Sequence, residues 1–137
     1  MNMVFFRSRQ DHNQIGWSYY FEELDEMQWI SNYHVGDDVA ILFYLEQQVV
    51  DALRSRVDIG NKWSENTLLN PEEEDRYHVR LDFRVVNRSH ALCHFKRLSG
   101  SFVESQHSIA LEPVTDEDEQ ALLTLFELDP PKWTRLI

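Results

Sequence analysis

The stretch that most constrains this chain is YHVRLDFRV, Tyr77 to Val85, in which Val79, Leu81, Phe83 and Val85 alternate with His78, Arg80, Asp82 and Arg84. Successive side chains of a strand point to opposite faces, so a period of two marks a strand with one face buried and one wet. Val86-Asn87-Arg88-Ser89 reads as a turn, and Ala91 to Leu98 as a returning strand. Ser99-Gly100-Ser101 reads as a second turn. Phe102 to Glu112 then makes a third strand, with Val103, Ile109 and Leu111 of one parity. The pattern predicts a three-stranded antiparallel meander over residues 76–112. Pro113 lacks the N–H that a ladder needs and stops it. Thr115 is a good helix N-cap, and Asp116 to Glu119 place carboxylates at the positive end of the helix dipole. Ala121, Leu122, Leu125 and Phe126 form an apolar stripe, and Asp129-Pro130-Pro131 ends a helix over 116–128.

The first half is less regular. Met3 to Arg7 suits a short edge strand, and Trp17, Tyr19 and Phe21 alternate as in a strand. From Glu22 the spacing loosely fits a short helix. After the Gly36-Asp37-Asp38 break, VAILFYLEQQVVDALRSRV has two readings. Leu42, Leu45, Val49 and Leu53 fall on one helical face, which predicts a central helix near 38–56. The alternative makes Val39 to Leu45 a buried strand and leaves only the rest helical. Asp58 to Asp75 reads as a long connection, with Trp63, Leu68 and Leu69 docked on the body. The fold class expected is α+β: a single domain, residues 1–137, with an antiparallel sheet covered by a central and a C-terminal helix.

The chain of 137 residues has a formal charge of −11, yet six of its thirteen basic residues lie between Arg76 and Arg97. Arg76 to Ala110 carries +4, so the rest carries −15, the total less that segment. A body so acidic repels nucleic-acid backbones and favours basic partners. The lone cysteine, Cys93, forms no internal disulfide and suits a reducing compartment. No secretory-signal pattern opens the sequence, and the longest apolar run, VAILFYL, is too short to span a bilayer. A cytoplasmic protein without membrane contact is therefore expected.

On a strand, Arg76, Arg80 and Arg84 share one face, with Lys96 or Arg97 arriving from the next strand. Such a face can take an anionic ligand or nucleotide, because arginine offers a planar fork of donors. It can equally be a wet face whose arginines pair with the protein's own acids. The acidic runs EELDE, PEEED and DEDE supply those acids, and they also suit a basic partner. Glu22, Glu23, Glu72, Glu73 and Glu74, with Tyr20 and Tyr33 as exposed aromatic anchors, are the candidate partner-binding residues. His90, Cys93 and His94 would converge on a metal from a helix. On the strand expected here, Cys93 points away from both histidines and fits a buried, small apolar role. No phosphate loop, serine elbow or zinc spacing is present, so no catalytic set, metal or cofactor is assigned.

The end of the chain, HSIALEPVTDEDEQALLTLF (His107 to Phe126), resembles the closing strand and acidic-started helix of PilZ domains. That resemblance implies a β-domain meeting an anionic nucleotide. The family's ligand residues match badly: Arg7 and Arg9 align poorly with its arginine-rich stretch, and its Asp/Asn-x-Ser-x-x-Gly motif is absent. No family membership follows. The role expected is that of a non-catalytic acidic protein that binds and regulates or inhibits a protein partner. The alternative is a small domain binding an anion through Arg76, Arg80, Arg84 and Lys96. Homodimerisation through an exposed edge of the meander stays open.

Overall fold

A computed structural model describes residues 2–21, 33–66, 76–130 and 135–136. Its strands are β1 (Asn2–Arg7), β2 (Gln14–Phe21), β3 (Asp38–Leu45), β4 (Trp63–Glu65), β5 (Tyr77–Arg97), β6 (Gly100–Pro113) and β7 (Arg135–Leu136). Its helices are α1 (Gln47–Arg56) and α2 (Asp116–Leu128). The strands form one sheet in the order β2-β1-β6-β5-β3-β7, with β4 also beside β5. The architecture is α+β, as the alternation implied. The sheet is mixed, however, because β1 runs parallel to β6 while the other pairs are antiparallel. That placement also corrects the edge-strand expectation for Met3 to Arg7: β1 is flanked on both sides.

Three further corrections have simple causes. Val39 to Leu45 is strand, not helix, because β5 supplies a continuous antiparallel partner from Asp38 opposite Arg84 to Leu45 opposite Tyr77. The helix begins only at Gln47. The expected meander is a two-stranded hairpin, since Val86 to Ser89 does not turn. The register slips by one between Val85 and Asn87, a bulge that accommodates the extra residue and lets β5 run on for 21 residues. The connection 58–75 contains β4, which pairs Trp63 with Val79 and Glu65 with Tyr77. Trp63 is half-buried against Tyr77 and under the Arg54 guanidinium, whereas Leu68 and Leu69 lie outside the described residues.

The core joins the inward residues of β5 (Val79, Leu81, Phe83, Val85) to Val4, Phe6, Ile41, Phe43, Ile109 and Leu111. Val50 and Leu53 of α1, with Leu122, Leu125 and Phe126 of α2, close it from the helical side. Phe6 meets Phe83 and Phe126 in tilted geometry at 5.2 and 5.7 Å. Phe126 also fills the space beside Gly16, where a Cβ would come within 2.2 Å of its ring. Glycine is therefore required there on packing grounds as well as for its φ of +65°.

The acidic start of α2 is as the sequence suggested. Thr115 caps it, its Oγ1 accepting from the Asp118 N–H at 3.1 Å. The acids also fasten the helix to the body. Lys62 Nζ donates to Asp118 Oδ1 at 2.6 Å, and the Arg9 N–H donates to Glu119 Oε1 at 2.7 Å. Asp118 and Glu119 are both buried, so much of the DEDE run is consumed in holding β1, α2 and the β4 approach together. Among the described residues no helix is long and apolar enough to cross a membrane.

Candidate interaction surface

The hairpin of β5 and β6 outruns the domain. Strands in globular proteins usually have about 3–10 residues. β5 has 21 and β6 has 14. β3 accompanies β5 only as far as Arg84, and β1 reaches β6 only at His107. Beyond those points only the two strands of the hairpin pair with each other among the described residues, from Ala91 opposite Gln106 to Arg97 opposite Gly100, with Arg88 to His90 forming the root. This two-stranded part of the arm extends about 20 Å at ~3.3 Å per residue. Gly100, at a φ of +130°, closes its tip.

The bulge decides which residues the arm shows on each face. Before it, the odd-numbered residues of β5 face the core. After it, Arg88 pairs with the buried Ile109, so the core face continues through Arg88, His90, Leu92, His94 and Lys96. Their β6 neighbours on that face are His107, Ser105, Val103 and Ser101. The opposite face carries Ala91, Cys93, Phe95 and Arg97 with Gln106, Glu104 and Phe102. The described large apolar residues that stand exposed are Val35, Leu92, Leu98, Phe102 and Val103, four of them on the arm. Leu92 is 71% and Val103 62% exposed, and Leu98 is fully open at the tip. Side chains that read as core by alternation are thus carried past the body that would bury them.

Local contacts stiffen the arm. Phe95 and Phe102 stack at 5.2 Å, with the Arg97 guanidinium 5.4 Å from the Phe102 ring centre. His90 and His107 stack with centroids 4.3 Å apart and planes within 3°. His90 Nε2 is 3.1 Å from Ser105 Oγ. At the arm's root, the Gly36 N–H donates to the Val85 carbonyl and the Val85 N–H to the Asp37 carbonyl. Arg88 donates to the Tyr33 carbonyl at 3.1 Å, tying the 33–37 turn to the bulge. Nothing in the residues around Arg88 points to that role, since its partner lies 55 residues away.

The expected site residues fall in different places. Glu22, Glu23, Glu72, Glu73 and Glu74 lie outside the described residues, as does the side chain of Tyr20. Tyr33 is half-buried and packed against the core, not free outside. The turn folds it inward, with the His34 N–H donating to Asp37 Oδ2 at 2.8 Å. Burial, with the Asp37 charge adding to it, raises the Tyr33 phenol above its ordinary 10.0. Arg76 pairs with Glu65, Arg80 with Asp82 at 3.2 Å and Arg84 with Asp38 at 3.3 Å. Each arginine of the proposed anion face therefore sits beside a carboxylate. Lys96 is twelve residues further along β5 than Arg84, roughly 40 Å away, too far to close one small ligand with it.

Cys93 is half-buried on the arm, not sunk in the core as expected, with its thiol 3.3 Å from Gln106 Oε1. Its face differs from that of His90 and His94, as strand geometry required. Among the described residues no three His, Cys, Asp or Glu side chains are grouped to hold a metal. An open hollow of about 280 Å³ lies past α1 among Arg54, Val57, Asp58, Ile59 and Gly60. Its charges are engaged already: Arg54 lies over Trp63, and Asp58 accepts from the Gly60 N–H. Comparison with known proteins finds no family model, no curated protein and no solved structure that matches the chain.

Proposed function

We propose that this chain is a non-catalytic protein that binds and regulates or inhibits a protein partner in the cytoplasm, and that the β5–β6 arm is its contact element. The observation that carries this reading is the concentration of exposed Leu92, Leu98, Phe102 and Val103 on one projecting hairpin. Large exposed apolar side chains grouped on a rigid element mark interaction surfaces. The arm is also cationic where the chain is not. Arg88, Lys96 and Arg97 oppose the single acid Glu104, for +2, which leaves −13 on the rest of the −11 chain. Leu92 and Val103 on one face, with Leu98 at the tip, suit a partner that offers apolar side chains; the arm's basic residues suit carboxylates at that contact, while the acidic body favours basic groups around it.

The test is affinity capture with the wild-type chain and with a Leu92→Glu/Leu98→Glu variant as matched baits. Both sites are exposed, so the variant should melt like the wild type. A protein held by the wild type and lost from the variant supports the reading. Equal capture by both baits contradicts the arm as the contact element.

A further inference from the structure

We propose that Ser99, at the tip of the arm, is a phosphorylation site for a serine/threonine protein kinase whose substrate groove is lined with carboxylates. The site itself does not depend on the partner-binding reading; its consequence for the arm rests on that reading. The segment runs Lys96-Arg97-Leu98-Ser99-Gly100. Two cations thus stand three and two residues ahead of the hydroxyl. Of all the serines and threonines in the chain, Ser99 alone has basic residues at both of those positions. Kinases select substrates in part by charge pattern, and two adjacent cations give an acid-lined groove something to hold.

The fold presents this segment where a kinase can reach it. The ladder from Ala91 opposite Gln106 to Arg97 opposite Gly100 carries Leu98 and Ser99 to the far end of the hairpin, about 20 Å past the strands that flank its root. Ser99 is exposed, and no hydrogen bond among the described residues holds its hydroxyl. Lys96, Arg97, Leu98 and Gly100 are exposed with it. Gly100 has no side chain to meet an active-site wall just past the serine. A kinase groove takes its substrate as an extended segment, so the two terminal pairs, Arg97 opposite Gly100 and Lys96 opposite Ser101, must part. Pairs at the end of a hairpin open at the least cost. The next pair is Phe95 opposite Phe102, whose rings stack at 5.2 Å, so the opening stops there and the rest of the arm keeps its shape.

In the transfer, Ser99 Oγ attacks the γ-phosphorus of a nucleoside triphosphate. The Oγ–P bond forms as the bond from that phosphorus to the β,γ-bridging oxygen breaks. The nucleoside diphosphate leaves with the electron pair, and the hydroxyl proton passes to a carboxylate base of the kinase. The product adds about −1.5 to −2 charges at pH 7. The arm carries +2, from Arg88, Lys96 and Arg97 against Glu104, so the modification cancels its charge. The phosphate oxygens also stand beside Lys96 and Arg97 and compete for their donors. An arm that holds carboxylates of a partner through those cations then releases them, which makes Ser99 a switch on the proposed contact.

The test incubates the intact chain with magnesium ATP and a purified serine/threonine kinase that selects basic residues two and three positions before its serine. Phosphorylated peptides are then mapped by mass spectrometry. One phosphoryl group should enter the wild type, at Ser99. Ser99→Ala should take none. Lys96→Ala/Arg97→Ala, with Ser99 retained, should lose at least about tenfold in kcat/KM, since two charge-assisted contacts are gone. All three positions are exposed, so both variants should melt like the wild type. No incorporation into the wild type overturns the site, as does incorporation mapped to another residue or a rate undiminished without the two cations. The phosphorylated and unmodified chains are then compared as baits for the protein that the Leu92→Glu/Leu98→Glu variant loses. Release from the phosphorylated chain supports the switch, and equal retention by both overturns it. If the unmodified chain holds no such protein, the partner-binding proposal fails together with the switch that rests on it, while Ser99 stands or falls on the transfer alone.

Discussion

Leu81 and Leu92 lie eleven residues apart on the same strand, and the same substitution at each should have very different consequences. Leu81 is 0% exposed, packed among Val79, Phe83 and the helices. Leu81→Ala removes buried methyl groups and leaves a cavity in a close-packed core, which costs about 2–5 kcal/mol. Leu92 is 71% exposed, so less than a third of its side-chain surface is withdrawn from water. Full burial of a leucine is worth about 1.5–3 kcal/mol, so Leu92→Ala should cost less than about 1 kcal/mol. Equilibrium urea unfolding, with midpoints compared at constant slope, measures both. The ratio between the two losses is the diagnostic quantity, since it cancels any general fragility of the domain. A loss at Leu92 above about 1.5 kcal/mol would place that residue in a packed core and refute the description of a projecting arm.

Thr115→Ala removes the cap of α2 and should cost about 1 kcal/mol, read as a lowered melting temperature; an unchanged melt would mean that the Asp118 contacts alone fix the helix start. Burial lowers the pKa of the His78 imidazole from its ordinary 6.5. The unfolded chain therefore takes up that proton first, and stability should fall as pH drops through 6.5 toward the lowered folded value. His78→Gln should flatten that part of the stability profile between pH 7.5 and 5, and a profile of unchanged slope would assign the effect to other groups. With Arg76, Arg80 and Arg84 each beside a carboxylate, a melt screen of phosphate-bearing ligands at fixed ionic strength should show no saturable stabilisation. A saturable shift that vanishes in Arg80→Ala/Arg84→Ala would restore the anion face.

Much of the body could be read from local pattern. Val79 to Val85 alternates because one face meets the core and the other meets water, and no tertiary knowledge is needed to see it. The start of α2 was equally plain, since a capping threonine followed by four acids satisfies the helix end chemically. Val39 to Leu45 was ambiguous for a physical reason. It is apolar at nearly every position because both faces are withdrawn from water: Val39, Ile41, Phe43 and Leu45 are in the core, while on the other face Ala40 is buried and Leu42 and Tyr44 are half-buried, and an apolar run has no period to read. Val86 to Ser89 misled because polar residues with an asparagine have turn chemistry. Here the continuous partner in β6 makes a bulge more favourable than a turn.

The arm was hidden for another reason. Leu92, Phe95, Phe102 and Val103 are ordinary strand residues, and whether they are buried depends on where β3 and β1 end. Those limits are set by pairing register, which a single strand's sequence does not carry. The clustered arginines that drew attention to residues 76–97 divide at the bulge. Arg76, Arg80 and Arg84 belong to the body and its acids, while Lys96 and Arg97 belong to the tip.

The central proposal is that the arm is the part of this molecule that meets another protein chain. Amide hydrogen exchange read by mass spectrometry, on the chain alone and bound to whatever protein the wild-type bait holds, addresses that most directly. Added protection is expected in peptides covering residues 88–106, with little change in β1 or α2. Protection confined to residues 2–21 or 116–128, with the arm exchanging as in the free chain, would contradict it.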